Sequence, residues 1–504
     1  MVSESCGNPS VESEAIMTRR PKHDKSKICI KCKVNTGAIV IRHAVYCKEC
    51  FPALLNSKIR RILEPHINAK PELSRKKSLK ASGNLLVAFS GGLGSTVLLD
   101  LISRIYLSPW TEEEVEGNLK GGKDHPRNQP VWKSVSICYV EIASGFPGMT
   151  DKTIKIQQIL REKYKTLEFI PLRLEDAFDM SWWDKVGGNA ALDANADLTN
   201  DELFISSTLT TPTLTTPTLN PVERLRSYIS ALPTHTAIEN AIHTLIRVLL
   251  LYTARSNQSS HLLLGTSLTS LSIRLISSIS QGGGFSVREE AYEEWKPDST
   301  TAIRVIRPLQ EVTTKECSMW AWWNGLLVVG QEKYPRAKEG IYALTKDFII
   351  GLERDYPSTV STIARTCSKL APKVEAVGLC IFCERPLQPG VQLWKSRISM
   401  RETGQPTTAS RSSDSSPVLQ SLTPYLCYSC HTMLTSRNSK GVSGNPASPS
   451  LPLPVWASIH PRGLSDDVGR SDMQPDLNGN EELWLRRKID PDEMKVVIGD
   501  FLLE

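Results

Sequence analysis

The central part of the chain contains Leu85-Leu86-Val87-Ala88-Phe89-Ser90-Gly91-Gly92-Leu93-Gly94-Ser95, an apolar run followed by a glycine-rich turn. The apolar run suits a buried parallel strand, and the pattern over 96–106 predicts a helix. Glycines let backbone amides approach an oxyanion, and a helix amino terminus adds partial positive charge. The stretch therefore predicts a phosphate-binding strand–loop–helix unit. Its candidate nucleotide ligands are Ser90, Gly91, Gly92 and Ser95.

Strand and helix patterns alternate along the rest of the central region. Strands are predicted at 135–142, 167–172, 261–264 and 303–309, and helices at 221–232, 237–253, 268–279 and from Thr314. This alternation predicts an α/β fold whose parallel sheet is covered by helices on both faces. Such sheets bind ligands beyond the carboxyl ends of their strands, which is where the glycine-rich turn lies.

Eight of the twelve cysteines form four Cys-x-x-Cys pairs. A two-residue spacer aims two sulfurs at one ion, and a second such turn completes a tetrahedral zinc site. The spacing is 14 residues between the first two pairs and 43 between the last two, so the second site needs a long loop to fold back. The predicted zinc ligands are Cys29, Cys32, Cys47 and Cys50 in one module and Cys380, Cys383, Cys427 and Cys430 in the other.

Disulfides and redox-active thiols are the alternatives to zinc. Residues 1–18 are polar and acidic, so we expect neither a secretion signal nor the oxidising environment that favours disulfides. A thioredoxin-type pair would start a helix after a strand, whereas the first quartet lies between basic, turn-like stretches. His431 directly follows Cys430 and could replace a sulfur ligand, although we expect it on the surface.

Other cysteines and the tryptophans favour packing roles. Cys138 lies on a predicted strand, and Cys317 and Cys367 lie in helical patterns, so we expect buried small hydrophobic side chains rather than nucleophiles. Trp320 and Trp323 are three residues apart and share one helix face. Base stacking is the alternative for these indoles, but packing in the core or at an interface is the interpretation we favour.

Positive charge is concentrated near the amino terminus. Residues 19–80 contain 17 Lys or Arg against 4 Asp or Glu, a net +13, which leaves −7 for the rest of a chain whose total is +6. Clustered cations release counterions when they neutralise phosphates, and no amphipathic apolar face here favours a membrane instead. A solvated basic face is the alternative, and the sequence does not separate RNA from DNA. The candidate RNA-binding residues are Lys31, Lys33, Lys58, Arg60, Arg61, Arg75, Lys76 and Lys77.

The length of 504 residues predicts about three domains. We expect a disordered amino terminus at 1–24, a basic zinc-knuckle module at 25–80, an α/β domain at 81–370 and a zinc-knuckle-like module at 371–504. A Thr/Pro repeat near 206–220 and Ser/Pro-rich stretches at 401–417 and 436–454 predict disordered inserts. No stretch is apolar enough to span a bilayer, so we expect a soluble, cytoplasmic protein.

The glycine-rich turn resembles the SGGxDS signature of ATP-pyrophosphatases, which have an adenine-nucleotide α-hydrolase-like (PP-loop) fold. Further matching features are Leu264-Gly265-Thr266, Arg307-Pro308-Leu309 and the terminal Phe501-Leu502-Leu503-Glu504. Together with the flanking cysteine pairs, they make the chain resemble the cytoplasmic tRNA 2-thiolation protein 2 family. The resemblance covers most of the chain from Cys29 onward except the low-complexity inserts, and the cysteine layout is its specific part.

This resemblance implies a subunit of the eukaryotic machinery that replaces the 2-oxygen of the wobble uridine with sulfur. The implied product is 5-methoxycarbonylmethyl-2-thiouridine in the tRNAs for lysine, glutamate and glutamine. The implied partners are tRNA, a catalytic ATP-pyrophosphatase subunit with which the chain forms a heterodimer, and a ubiquitin-related carrier that supplies sulfur as a thiocarboxylate.

The chain departs from the catalytic relatives inside the loop. Leu93 and Gly94 stand where those relatives place a lysine and an aspartate, so a cation for phosphates and a carboxylate that helps to hold magnesium are both missing. After the predicted strand ending at Leu264, the acidic residues of catalytic relatives are missing too. We therefore expect a non-catalytic subunit, and the sequence leaves open whether ATP still binds.

Two other functions stay open at this point. An active ATP-dependent tRNA sulfurtransferase would turn over ATP as an isolated chain. A zinc-dependent nucleic-acid-binding adaptor would prefer duplex DNA to anticodon-loop RNA at matched salt.

Overall fold

The computed structural model describes residues 27–42, 44–68, 79–107, 130–188, 194–199, 202–207, 220–297, 301–330, 340–370, 372, 374–391, 421–436 and 450–457. Several predictions fall outside these residues. They concern the amino terminus at 1–24, the basic residues Arg75, Lys76 and Lys77, the Thr/Pro repeat, the Ser/Pro-rich stretch at 401–417, most of that at 436–454, and the terminal 501–504.

The described strands are short, and most belong to one central sheet. They are β1 (Ile39–Ile41), β2 (Ala44–Tyr46), β3 (Asn84–Ala88), β4 (Val135–Glu141), β5 (Glu168–Arg173), β6 (Ala194–Asp197), β7 (Ile205–Ser207), β8 (Ser259–Leu264), β9 (Glu293–Trp295), β10 (Ile303–Ile306) and β11 (Ser450–Pro452). The central sheet has the order β5-β4-β3-β8-β10-β9. Its first five strands are parallel, and β9 is antiparallel to β10. The predicted α/β fold with a parallel sheet is therefore confirmed.

Helices connect these strands. They are α1 (Phe51–Ile67), α2 (Leu93–Ile102), α3 (Thr153–Lys163), α4 (Met180–Lys185), α5 (Pro221–Ala231), α6 (His235–Ser256), α7 (Leu268–Ser280), α8 (Thr314–Trp323), α9 (Ile341–Asp355), α10 (Pro357–Cys367) and α11 (Tyr428–Thr435). Asn220, Thr234, Ser267 and Thr313 cap four of them, since each side chain accepts a hydrogen bond from a backbone N–H in the first turn.

The amino-terminal cysteine module shares an apolar core with the central sheet. Phe51, Leu55 and Leu63 of α1 are completely buried in the same cluster as Leu85 of β3 and Leu98 of α2. Burial of a large aliphatic side chain stabilises a fold by roughly 1.5–3 kcal/mol. Helix α1 therefore packs as part of the sheet domain rather than as part of a separate knuckle. The domain boundary at residue 80 stays a prediction.

The last described segment, 450–457, ties the carboxyl-terminal region to the sheet domain. It contains β11, which pairs with β6 and so extends a small sheet of order β11-β6-β7. The Val455 N–H donates to the carbonyl oxygen of Ala177, and the Trp456 indole N–H donates to that of Phe382, which lies between two cysteine ligands. Within the described residues, no helix combines the length and apolar character needed to cross a bilayer.

Candidate functional site

The segment 90–95, which contains the turn after β3 and the first three residues of α2, has the conformation that its sequence predicts. Gly91 has φ +71°, in the left-handed region that glycine tolerates. The hydroxyl oxygens of Ser90 and Ser95 lie 3.2 Å apart, and the Gly92 N–H donates to Ser90 Oγ at 3.4 Å. The structure therefore brings Ser90, Gly91, Gly92 and Ser95 together at the start of α2, while their contact with a nucleotide stays a prediction.

A cavity of about 330 Å³, here called the loop cavity, opens beside this loop at the carboxyl ends of β3, β4 and β8. Small-molecule sites typically span about 300–1,000 Å³. Part of the lining is polar and includes Ser90, Ser95, Lys152, His243 and Arg274. The rest is largely apolar and includes Phe89, Val140, Met149, Ile246, Leu250 and Leu264. The cavity thus combines hydrogen-bond donors with an apolar wall.

Gly94 packs directly against the turn that follows β8. A Cβ atom at position 94 would lie 2.0 Å from the carbonyl oxygen of Gly265, and one at Gly265 would lie 2.4 Å from the Ser95 nitrogen. Both contacts are with backbone atoms, so neither side chain could be added without moving the chain. This backbone therefore excludes an aspartate at position 94, where the SGGxDS signature has one.

Among the described residues that line the loop cavity, Glu141 is the only carboxylate. Its Oε1 accepts from the backbone N–H groups of Ile142 and Ala143 at 2.8 and 2.9 Å. Its Oε2 accepts from the Tyr139 hydroxyl and the Lys152 N–H at 2.8 and 2.9 Å. Through these four bonds Glu141 orders the segment after β4, and its side chain interacts with that of Asp151 as well.

The first cysteine quartet converges as predicted. One sulfur from each of Cys29, Cys32, Cys47 and Cys50 lies within 4.8 Å of the others. Cys29 and Cys47 are buried, and Cys32 and Cys50 are half-buried. Burial opposes ionisation of Cys29, but the backbone N–H groups of Cys32, Cys47 and Lys31 outweigh it and lower the pKa of the thiol to about 6. The turn therefore favours a thiolate, the form that binds metal.

The second quartet also converges, although 43 residues separate its pairs. Its four sulfurs lie within 4.8 Å of one another, and the cysteines are buried, with Cys427 the most exposed at 9%. Hydrogen bonding with the Cys380 and Cys383 sulfurs raises the pKa of Cys427 and Cys430. Four thiolates cannot coexist in such a buried site unless a cation neutralises them.

Basic residues flank the second quartet. The Arg247 guanidinium donates to the carbonyl oxygen of Cys383 and pairs with Glu293, and Arg385 pairs with Glu290. These side chains are themselves largely buried. The second cluster is therefore embedded in an ion-pair network, whereas the exposed Lys31 and Lys33 lie beside the first cluster at the surface.

Both quartets fit a tetrahedral metal ion. Metal–sulfur bonds of about 2.3 Å give a tetrahedron with sulfur–sulfur edges of about 3.8 Å. The sulfurs of Cys32 and Cys47 are 3.8 Å apart, and those of Cys383 and Cys427 are 3.7 Å apart. A divalent metal, when bound, would stabilise the thiolates and cross-link the two turns of each quartet. Both are candidate metal centres, and zinc as the metal stays a prediction.

The expectation that His431 lies on the surface is wrong. Its side chain is only 1% exposed, and it belongs to neither cysteine group. The physical reason is its place in α11, where Cys430 and Met433 are buried as well. This short helix turns most of its surface towards the protein core, so the histidine beside the last ligand is enclosed.

The packing roles of the other cysteines and tryptophans are supported. Cys138, Cys317 and Cys367 are buried, and burial raises the pKa of the Cys138 and Cys317 thiols, which disfavours the thiolate. The Phe51 ring lies 6.4 Å from that of Trp320 and 5.3 Å from that of Trp323, measured between ring centroids. The two indoles therefore help α8 to pack on α1.

The structure separates the candidate RNA-binding residues by exposure. Lys31, Lys33 and Arg60 are exposed, and the exposed Arg61 pairs with Glu311. Lys58 differs, because it forms an ion pair with Glu316, whose side chain is 1% exposed. RNA contact stays a prediction for all the candidate residues. Lys58 also has a role in the fold, because it neutralises the buried Glu316.

Sequence reasoning missed five charged residues. Arg247 and Arg274 lie on α6 and α7, Lys152 in the loop after β4, Glu290 in a 3-10 turn that precedes β9, and Arg385 just after the Cys380-Cys383 turn. One of them carried a usable signal, since Arg274 is the only charged residue in the otherwise apolar and Ser/Thr-containing sequence of α7. A lone cation in such a helix indicates a polar environment on its buried side.

Comparison with known proteins agrees with the sequence analysis. The family model described as Cytoplasmic tRNA 2-thiolation protein 2 matches residues 340–432. Cytoplasmic tRNA 2-thiolation protein 2-A from Xenopus laevis is 26% identical over 395 residues, which are 72% of this chain and 73% of that protein. The Homo sapiens protein of the same family name is 25% identical, over 73% of this chain and 72% of its own length. The Danio rerio protein is 22% identical, over 84% of this chain and 90% of its own length.

Among solved structures, the U34-tRNA thiolase NcsA from Methanococcus maripaludis with its [4Fe-4S] cluster is similar to this chain with a TM-score of 0.42 and 16% sequence identity. The match covers 69% of this chain and 89% of that one.

Proposed function

We propose, from the confirmed resemblance of this chain to the cytoplasmic tRNA 2-thiolation protein 2 family, that it is a subunit of the machinery that thiolates tRNA. The modified base is the wobble uridine of the tRNAs for lysine, glutamate and glutamine. The chain acts in the cytoplasm as a heterodimer with a catalytic ATP-pyrophosphatase subunit, and that subunit takes sulfur from a thiocarboxylated ubiquitin-related carrier.

The chain's own role in this proposal is not catalytic, and the contact between Gly94 and Gly265 carries that part of the argument. A backbone carbonyl occupies the space that a side chain at position 94 would need. In addition, the carboxylate that lines the loop cavity is engaged by four donors. Adenylation requires the charge of a metal–polyphosphate complex to be held in place, and the described lining provides no carboxylate for that purpose.

Binding of tRNA is the second part of the proposal. Exposed cations at Lys31 and Lys33 lie on the first cysteine turn, and Arg60 lies on the following helix. Because α1 is anchored in the sheet core, Arg60 is presented on a rigid element. Lys31 and Lys33 lie on the cysteine module, whose Ile39 is buried in the same core. Such a surface suits phosphate contacts, which supply affinity and orientation without sequence readout.

Mass spectrometry of wobble uridines in cells that lack this chain tests the assignment. We expect loss of the 2-thio group in the three tRNAs and its return when the wild-type chain is supplied. A Cys29→Ser variant should fail to restore it, whereas a Cys367→Ala variant, which removes a buried thiol outside both quartets, should restore it. Equal accumulation of the two variants is checked by immunoblot. Persisting 2-thiolation in the deletion strain would overturn the assignment.

The non-catalytic role is tested with the purified chain. Incubated alone with ATP and tRNA, it should neither release pyrophosphate nor form thiouridine. When the catalytic partner and the sulfur carrier are added, pyrophosphate release and thiouridine formation should both appear. Robust turnover by the isolated chain would refute this part of the proposal and favour an active sulfurtransferase.

A further inference from the structure

Trp322 differs from the other tryptophans of the described residues. It is 74% exposed, whereas Trp320 is 3% exposed and Trp323 is half-buried. Each remaining described tryptophan is at most 8% exposed, namely Trp132, Trp182, Trp183, Trp295 and Trp456. Indole is a large, flat and mostly apolar ring, so folding normally places it where other groups cover it. A ring left in water on a folded helix is therefore a candidate contact for a ligand.

The backbone beneath Trp322 is held by the two other indoles of α8. The Trp320 indole N–H donates to the buried Asp100 carboxylate at 2.9 Å. The Trp323 ring packs edge-to-face on Phe51, with 5.3 Å between the ring centroids. These contacts fix α8 on two sides, and Trp322 projects from a side that faces solvent. Because only the two side-chain torsions of the indole remain to be ordered, binding a flat ligand on it costs little conformational entropy.

The exposed face of α8 leads to the first cysteine module. Residues seven apart in an α-helix differ by only about 20° around its axis and by about 10 Å along it, so Lys315 and Trp322 share one face. Lys315 is exposed, and its Nζ donates to the carbonyl oxygen of Val40 in β1 at 3.1 Å. The exposed ring therefore stands on the same helix face as a lysine that touches the module.

Paired strands connect Lys315 to the lysines of the module. Val40 pairs with Val45 of β2, and the Val45 carbonyl oxygen accepts from the Ile30 N–H at 2.9 Å. Lys31 directly follows Ile30 in the sequence. Since neighbouring strands lie about 4.8 Å apart, the backbone of Ile30 is roughly 10 Å from that of Val40. Cations therefore lie at intervals from α8 across the module.

The module stays positively charged when a metal ion is counted. Residues 27–50 contain five Lys or Arg against one carboxylate, Glu49, which accepts from the Asn35 amide at 3.1 Å. Four thiolates around a divalent ion add a charge of −2, which leaves the module at +2. Lysine is depleted at protein–protein interfaces, whereas a positive surface with exposed aromatic rings is typical of single-stranded nucleic-acid sites. The surroundings of Trp322 therefore favour RNA over a protein partner.

We infer that Trp322 is a stacking platform for an unpaired base of RNA whose phosphates lie against Lys315 and the lysines of the first cysteine module. The inference rests on the proposed binding of tRNA and adds a contact that distinguishes unpaired from paired bases. Bases of loops and ends are free to turn onto an indole, while those of a duplex are stacked on one another. The lysines give an attraction that weakens with salt, and the ring adds a contribution that does not require charge.

Fluorescence anisotropy of labelled RNA with the full-length chain, measured at several salt concentrations, tests this inference. The probes are an unmodified transcript of the tRNA for lysine, which has unpaired loop bases, and a blunt RNA duplex with the same number of phosphates. Trp322→Ala should weaken tRNA binding about tenfold at every salt concentration, because one stacked base contributes about that factor. The slope of log affinity against log salt and the affinity for the duplex should not change. Trp322→Phe, which keeps a ring, should recover part of the loss.

The matched control is Phe348→Ala, which removes another exposed aromatic ring, one that is 59% exposed on α9. It should bind both RNAs like the wild type. Because both rings lie at the surface, we expect both variants to fold, and thermal denaturation verifies this. Unchanged tRNA affinity in Trp322→Ala would overturn the inference. Equal weakening of tRNA and duplex binding, or an equal loss in Phe348→Ala, would overturn it as well.

Co-purification with the catalytic subunit distinguishes RNA from a protein partner. If Trp322→Ala binds tRNA like the wild type but retains less of the catalytic subunit, the ring belongs to a protein interface and the inference is wrong. In that case the wild-type chain still binds tRNA, so the proposed function stands. If the wild-type chain bound no tRNA at all, the proposed tRNA binding would fail together with this inference, whereas the assignment to wobble-uridine thiolation would still depend on the deletion strain.

Discussion

At the residue scale, Gly94 shows that the turn after β3 departs from the SGGxDS signature in the space it leaves as well as in its sequence. We expect Gly94→Ala to lower the free energy of unfolding by about 1–3 kcal/mol, because the new methyl group would collide with the Gly265 carbonyl. Gly351→Ala is the matched control: it lies within α9 with open space around it, so it should leave stability unchanged or raise it by up to about 1 kcal/mol. Urea denaturation measures both changes, and equal stability of the two variants would contradict the steric argument.

Single residues also show what the sequence could and could not reveal about the site. The cysteine quartets were predictable, because ligand spacing is a local property that survives without knowledge of the fold. The missing aspartate at position 94 was visible too, but the contact that excludes it was not, since Gly265 is distant in sequence. Arg274 was missed for the same reason, because only the fold places α7 opposite the Ser90 loop.

At the scale of single elements, α1 combines a buried face with an exposed basic face, and neighbouring cations on it have different roles. Lys58→Met should destabilise the protein by about 3–5 kcal/mol, because it removes the ion-pair partner of the buried Glu316 carboxylate, whose other oxygen accepts only from the neutral Thr313 N–H. Arg60→Met should change stability by less than about 0.5 kcal/mol, since its pair with Glu64 spans 3.8 Å between exposed side chains. Denaturation of both variants with guanidinium chloride measures the two changes in the free energy of unfolding.

The same pair of variants separates stability from RNA binding. We expect Arg60→Met to weaken tRNA binding and to reduce the slope of log affinity against log salt by about 1, as the loss of one phosphate contact requires. Folded Lys58→Met should retain the wild-type slope. The opposite result, a reduced slope only in Lys58→Met, would show that the ion pair with Glu316 opens when RNA binds.

The helices and strands differ in how well the sequence predicts them. The helices beginning near Pro221, Leu268 and Thr314 were predictable, because capping residues and apolar periodicity agree there. The strand predicted over 303–309 ends at Ile306, since the chain turns at Arg307 and its carbonyl accepts from the Gln310 N–H. The three-residue strand β9 was not predicted, because a segment so short and partly acidic has no strand pattern of its own and depends on pairing with β10.

At the scale of the whole molecule, the two cysteine clusters occupy different environments and should respond differently to metal removal. The first is partly exposed, whereas the second is enclosed by Arg247, the Trp456 contact and the ion pair of Arg385 with Glu290. A chelator that forms a coloured complex should therefore release two metal ions per chain in a fast and a slow phase. Metal analysis by mass spectrometry before chelation identifies the ion, which we expect to be zinc.

Two cysteine variants show which cluster releases its metal ion in the fast phase and which in the slow phase. Cys29→Ser should abolish the fast phase and leave the thermal midpoint of the sheet domain close to that of the wild type. Cys383→Ser should abolish the slow phase and lower that midpoint, because the second metal joins 374–391 and 421–436 to the core through buried contacts. If the slow phase disappeared in Cys29→Ser, or if both ions left together in the wild type, burial would not control metal retention. The second cluster could then not be regarded as part of the domain's core.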